Sequence, residues 1–190
     1  MRASRRVSKS RIAVGVAGIG LTVGAFSLYS RRRYGRSAAA TLAEYGTRPV
    51  KMVHTRMSIT KRIAHLASRP EARRAVAFPA WGRLFYDLER REDSGMPVYH
   101  LCPRTPSNTI VIYLHGGGYI TTAVTAHTWF VDHLARRTGA GFIMPLYPLT
   151  PHHTWQKAHR LVLDLYRRVV TENPGKRIVL MGDSSGGGLA

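Results

Sequence analysis

Two short glycine-rich stretches hold the residues that could do chemistry. The first, Gly182-Asp183-Ser184-Ser185-Gly186, fits G-x-S-x-G and follows the apolar run Ile178 to Met181. A run of that length and β-branched content reads as a buried strand. A sharp turn from strand into helix strains the serine backbone and leaves its Oγ exposed above the sheet. Flanking glycines are required there, because a Cβ would collide with the neighbouring strand or helix. Ser184 is therefore the candidate nucleophile, with Gly182, Asp183 and Gly186 supporting the turn.

The second stretch is His115-Gly116-Gly117-Gly118-Tyr119, directly after a second buried-strand pattern, Thr109 to Leu114. Acyl transfer needs donors aimed at the oxyanion of a tetrahedral intermediate, and consecutive glycines let backbone N–H groups approach it closely. Gly116 and Gly117 are the expected donors, joined by the N–H of Ser185, with His115 and Gly118 as supporting positions. Both stretches sit at strand ends, where open α/β sheets place ligands. Competing readings of the glycines fail on spacing. No lysine follows Gly186, Gly187 or Gly188 as a phosphate-binding P-loop needs, and His115 to Tyr119 lacks the dinucleotide fingerprint.

HGGGY followed by GDSSGG resembles the hormone-sensitive-lipase-like esterases and lipases of the α/β-hydrolase fold, over roughly residues 96 to 190. Between the motifs, Met144 to Pro151 is similar to that family's YRLAP segment and following acid, but Pro148 stands for the arginine and His152 for the acid. The resemblance implies a serine hydrolase of carboxylic esters that works through an acyl-enzyme on Ser184. It implies no cofactor, and a small-molecule or lipid ester as substrate. It also implies a triad in the order Ser, Asp or Glu, His. Only six residues follow Ser184, none acidic or histidine, so the acid and base are expected beyond Ala190. The alternative is a truncated or degenerate membrane protein that keeps the elbow without the chemistry.

Other histidines are candidates for little. His127, His133, His152, His153 and His159 precede the serine, and no carboxylate completes a metal shell around His152, His153 and His159, so no metal site is expected. The one cysteine, Cys102, excludes an intramolecular disulfide and reads as a buried structural thiol between Val98 and Pro103.

The elements that must position these residues follow from the apolar pattern. A hydrophobic fraction of 44% over 190 residues belongs to a globular chain with a sizeable core. The formal charge of +19 raises nucleic acid as a partner, yet residues 1–36 hold nine arginines and lysines around an apolar segment. With no zinc-finger, RNP or helix-turn-helix signature, nucleic acid is not the expected partner.

Residues 1–11 form a basic leader, and Ile12 to Ser30 run nineteen residues without a charge, closed by Arg31, Arg32, Arg33 and Arg36. As a helix that run is about 28 Å long, close to the roughly 30 Å hydrocarbon core of a bilayer. A single-pass signal-anchor helix over 12–30 is expected, a cleaved secretory signal being the other reading. Residues 31–93 read as a helical, cap-like or membrane-proximal region, with patches at Glu71–Ala77 and at Trp81, Leu84, Phe85 and Leu88. Trp81, Phe85 and Tyr86 are read as core packing.

The catalytic domain is placed at 94–190, opened by the turn Ser94 to Pro97. Strands are expected at Val98–Leu101, Thr109–Leu114, Gly141–Leu146 and Ile178–Met181, and helices at Ala126–Thr138 and Thr154–Thr171. In the first helix Trp129, Phe130, Val131, Leu134 and Ala135 form the sheet-packing set. The alternation predicts a mostly parallel α/β sheet with flanking helices, incomplete at its C-terminal side.

Overall fold

The computed structural model describes residues 9–56, 58–68, 76–93 and 95–190; the side chains of 9–21 and 49–56 lie outside that description, as do several in the helix after residue 58. Two compact units result, Met1–Ser58 and Ile59–Ala190. The first holds helices α1 (Lys9–Tyr34) and α2 (Ala38–Arg56). A helix thus runs through Ile12–Ser30. Among the described residues, however, no helix is long and apolar enough to cross a membrane, so the expected span is not supported.

The second unit begins with α3 (Ile59–Ala67) and, after a 3-10 turn at Ala80–Leu84, builds one five-stranded sheet. Its strands are β1 (Tyr86–Asp93), β2 (Met96–Pro103), β3 (Thr109–Leu114), β4 (Gly141–Pro145) and β5 (Arg177–Gly182). Their order is β1-β2-β4-β3-β5. The sheet is mixed rather than mostly parallel: β3 runs parallel to β4 and β5, while β1–β2 and β2–β4 are antiparallel. Helices α4 (Thr125–Thr138) and α5 (Trp155–Glu172) are the crossovers, and α6 (Ser185–Leu189) follows β5.

The alternation of β3 shows why the sequence folds this way. Val111 and Tyr113 enter the core that α4 closes with Val131 and Ala135. Ile110, Ile112 and Leu114 enter the opposite core, closed by Ala158, Val162, Leu165 and Val169 of α5. A strand covered on both faces reads as an unbroken apolar run, which is why Thr109–Leu114 was legible. Each such side chain, fully buried, contributes about 1.5–3 kcal/mol.

Three expectations need correction. Residues 86–93 are a strand, not helix, paired along their whole length with β2 from Tyr86↔Pro103 to Asp93↔Met96. Trp81, Leu84, Phe85 and Leu88 have helical spacing and the following charges favour helix. Pairing with β2 overrides that local preference, and an edge strand tolerates the charge. The patch expected at Glu71–Ala77 lies mostly outside the described residues. Cys102 is exposed, because the pleat turns it to the face of Val98 and His100 at a strand end that lines an open cavity beside α5.

The third correction concerns aromatics. Trp81, Phe85, Trp129 and Phe130 are 43–54% exposed, whereas Tyr86 is fully buried. What α4 buries with Val131 and Ala135 is the carboxylate of Asp132, 1% exposed. It accepts from Tyr86 Oη at 2.7 Å and Trp81 Nε1 at 3.3 Å, and pairs with Arg136 at 3.0 Å. A buried carboxylate is tolerable only when it is matched this fully. Asp132→Ala would strand a guanidinium and two donors and is expected to lower unfolding free energy by about 3 kcal/mol. Chemical denaturation checks this, with Glu89→Ala, on the exposed strand β1, as the near-neutral comparison.

Candidate active site

The chain leaves β5 through a turn with no spare volume. A Cβ on Gly186 would lie 2.0 Å from the Leu114 carbonyl and 2.6 Å from that of His115, and one on Gly182 would lie 2.4 Å from Gly186. Both glycines let α6 start directly against the ends of β3 and β5. The residue between them takes up the strain: Ser184 has φ 50° and ψ −121°, in the left-handed region that L-residues avoid. Such a conformation costs of order 1–3 kcal/mol and is held only where packing over-determines it. The Ser184 side chain is exposed, above the C-terminal ends of the parallel strands.

Asp183 ties this turn to the glycine loop. Its Oδ1 accepts from Tyr113 Oη at 2.6 Å and from the Gly116 N–H at 2.9 Å, and its Oδ2 lies 3.4 Å from His127 Nε2. Burial alone would raise its pKa, but the Tyr113 and Gly116 hydrogen bonds, with His127, outweigh it and hold the carboxyl below its ordinary range. The Gly116 N–H, expected to face an oxyanion, here donates to Asp183 in a charge-assisted hydrogen bond. Among the described residues the N–H groups of Gly117 and Ser185 have no backbone or side-chain acceptor. The Gly118 N–H donates to Ser185 Oγ at 2.9 Å, joining the loop to α6.

His115 supports the loop from beneath. It is fully buried and stacks on Tyr147, ring centroids 4.4 Å apart and 9° from parallel, while the Tyr147 hydroxyl donates to the His115 carbonyl. Its Nδ1 is 2.8 Å from the Gly116 carbonyl, which can only accept, so that nitrogen carries the proton. Nε2 is buried with no partner among the described residues. Burial lowers the imidazole to about 4 and also pushes the Tyr147 phenol up to about 12. Thr150 completes the cradle, its N–H and Oγ1 reaching the Tyr119 carbonyl at 2.8 and 2.9 Å.

Sequence reasoning missed Tyr113, His127, Tyr147 and Thr150 as parts of this assembly. The Tyr147 to Pro151 stretch was visible only as a motif remnant, with no signal for what it touches. No described histidine bonds Ser184. His127 accepts from the Val124 N–H through Nδ1 at 2.9 Å and turns Nε2 to Asp183, so both nitrogens are engaged. The cavity of about 360 Å³ lined by Cys102, Ile110 and Gly141 opens at the opposite strand ends from Ser184.

The His115 environment has a pH consequence. Its folded pKa lies below the ordinary value of 6.5, so between the two the unfolded chain binds the extra proton. Stability is full above the unfolded value and falls as pH drops from 6.5 towards 4, by up to about 3 kcal/mol. His115→Asn is expected to flatten that part of the stability–pH curve in denaturant titrations at pH 7 and pH 4.5.

The comparisons agree with this geometry. The family described as alpha/beta hydrolase fold matches residues 111–190. An esterase of Gibberella moniliformis is 34% identical over 86 residues, 43% of this chain and 27% of that protein. The hormone-sensitive lipase of Mus musculus is 26% identical over 153 residues, 70% of this chain and 19% of that protein. The aligned part therefore spans well under half the length of these relatives. A solved esterase of the bacterial hormone-sensitive lipase family superposes with a TM-score of 0.50 at 27% identity, over 65% of this chain and 39% of its own. Residues 111–190 thus match the alpha/beta hydrolase fold family, and the chain is similar to hormone-sensitive lipase and to esterases of the bacterial hormone-sensitive lipase family.

Proposed function

We propose that this chain carries the nucleophile and oxyanion elements of a serine hydrolase acting on carboxylic esters. The observation that carries the reading is Ser184 itself: an exposed hydroxyl on a strained turn between two glycines that cannot hold a Cβ. A non-catalytic protein would gain nothing from keeping that strain, which argues against the degenerate reading.

In the reaction Ser184 Oγ attacks the ester carbonyl while a base takes its proton. The tetrahedral oxyanion accepts from the Gly117 and Ser185 N–H groups. Collapse expels the alcohol, which takes the proton back from the base, and leaves an acyl group on Ser184. Water, deprotonated by the same base, releases the acid and restores the serine. Gly116 and Asp183 act on this indirectly, by fixing the loop against the elbow. The reading requires a histidine and an orienting carboxylate from outside residues 1–190. Carboxylic esters are the substrate class that relatives named esterase and hormone-sensitive lipase suggest, small-molecule and lipid esters alike.

In the full-length protein Ser184→Ala is expected to lower turnover of a short-chain p-nitrophenyl ester by on the order of a thousandfold or more. Unchanged turnover in that variant contradicts the proposal. Gly117→Ala, whose Cβ would lie 2.4 Å from the Thr121 carbonyl, displaces one oxyanion donor. It is expected to cost on the order of 10²–10³ in kcat with a smaller change in KM.

A further inference from the structure

The first unit contains an arrangement that the hydrolase reading does not use. Three tyrosines from α1 and α2 form one cluster. Tyr29 and Tyr34 meet edge-on at 5.8 Å, and the Tyr34 and Tyr45 hydroxyls are 3.1 Å apart. Arginines lie over these rings, Arg36 at 4.9 Å from Tyr34 and Arg48 at 4.2 Å from Tyr45. All three tyrosines remain 37–48% exposed.

Charge around the cluster is one-sided. Residues 22–48 contain five arginines and a single carboxylate, Glu44, which Arg36 and Arg48 already share. Arg31, Arg32 and Arg33, in the last turn of α1, are exposed and have no carboxylate partner among the described residues. The rest of α1 is uncharged from Ile12 to Ser30, and Val23 and Leu28 are 60% and 56% exposed; Leu42 of α2 is 59% exposed.

We propose that this arginine–tyrosine girdle docks on an anionic phospholipid surface. Arg31, Arg32 and Arg33 supply three adjacent cations for phosphate and carboxylate headgroups. Phenols with an apolar body and a polar tip settle at that depth, and Val23, Leu28 and Leu42 face the acyl boundary below. A nucleic acid would engage the arginines but leave those apolar side chains in water, so the mixed chemistry favours lipid. The proposal is independent of the hydrolase reading, and Ser184→Ala is expected to leave lipid binding unchanged.

The test is co-flotation of the full chain with vesicles of phosphatidylcholine alone and of phosphatidylcholine with phosphatidylserine. Binding is expected to favour the acidic vesicles and to weaken with salt. Replacing Arg31, Arg32 and Arg33 together by Gln is expected to weaken it roughly a hundredfold, about fivefold for each arginine, while Lys at all three positions retains most of it. A control triple, Arg90→Gln, Arg91→Gln and Arg104→Gln, removes the same charge from arginines already paired with carboxylates and is expected to change little. Equal binding to both vesicle types, an equal loss in the control triple, no recovery with Lys, or tighter binding to single-stranded RNA than to acidic vesicles would each overturn the proposal.

Discussion

The close approach of Gly186 to the end of β3 is the constraint on which the rest of the site depends. With a Cβ only 2.0 Å from the Leu114 carbonyl, no other residue fits without moving β3 or α6. That contact sets where α6 begins, and the start of α6 sets the backbone of Ser184. Strain at Ser184 is therefore a consequence of packing between two regular elements, each stabilised by its own buried core. Neither core would need to change for the serine to be lost, but the serine cannot be held without both.

A second layer of interactions makes the glycine loop rigid. Three glycines in a row would be mobile if left to themselves. Here the loop is bonded from above by Asp183, which joins Gly116, Tyr113 and His127, and from below by Tyr147 and Thr150. Each carbonyl or N–H bound in this way is unavailable to substrate. The remaining N–H groups, of Gly117 and Ser185, are defined by what their neighbours already use. Which N–H groups stay free is thus a property of the network and not of the glycine motif.

This explains how much was legible in the sequence. Elements from Met96 onward were readable because doubly covered strands and sheet-packing helices have strong periodic patterns, as in Ile110–Leu114 and Ala158–Val169. The sharp turn at Gly182–Gly186 was readable because its glycines answer to purely local sterics. Strand β1 was not, since Tyr86 and Leu88 join the sheet only through register with Pro103 and Leu101 of β2, seventeen and thirteen residues away. The bond made by the Gly116 N–H was hidden for a similar reason. Its acceptor is a carboxylate 67 positions along the chain, and no local pattern announces that bond. Asp132 was invisible in the same way: a charged residue amid an apolar helix face, with partners 46 and 51 residues distant.

The central claim is that Ser184 is the nucleophile. The most direct measurement is treatment of the native, full-length protein with a serine-directed fluorophosphonate, followed by peptide mass spectrometry. The account predicts one added phosphonyl group, located on Ser184 and absent from the adjacent Ser185. Labelling of Ser185 or of another residue, with Ser184 left unmodified, would contradict it.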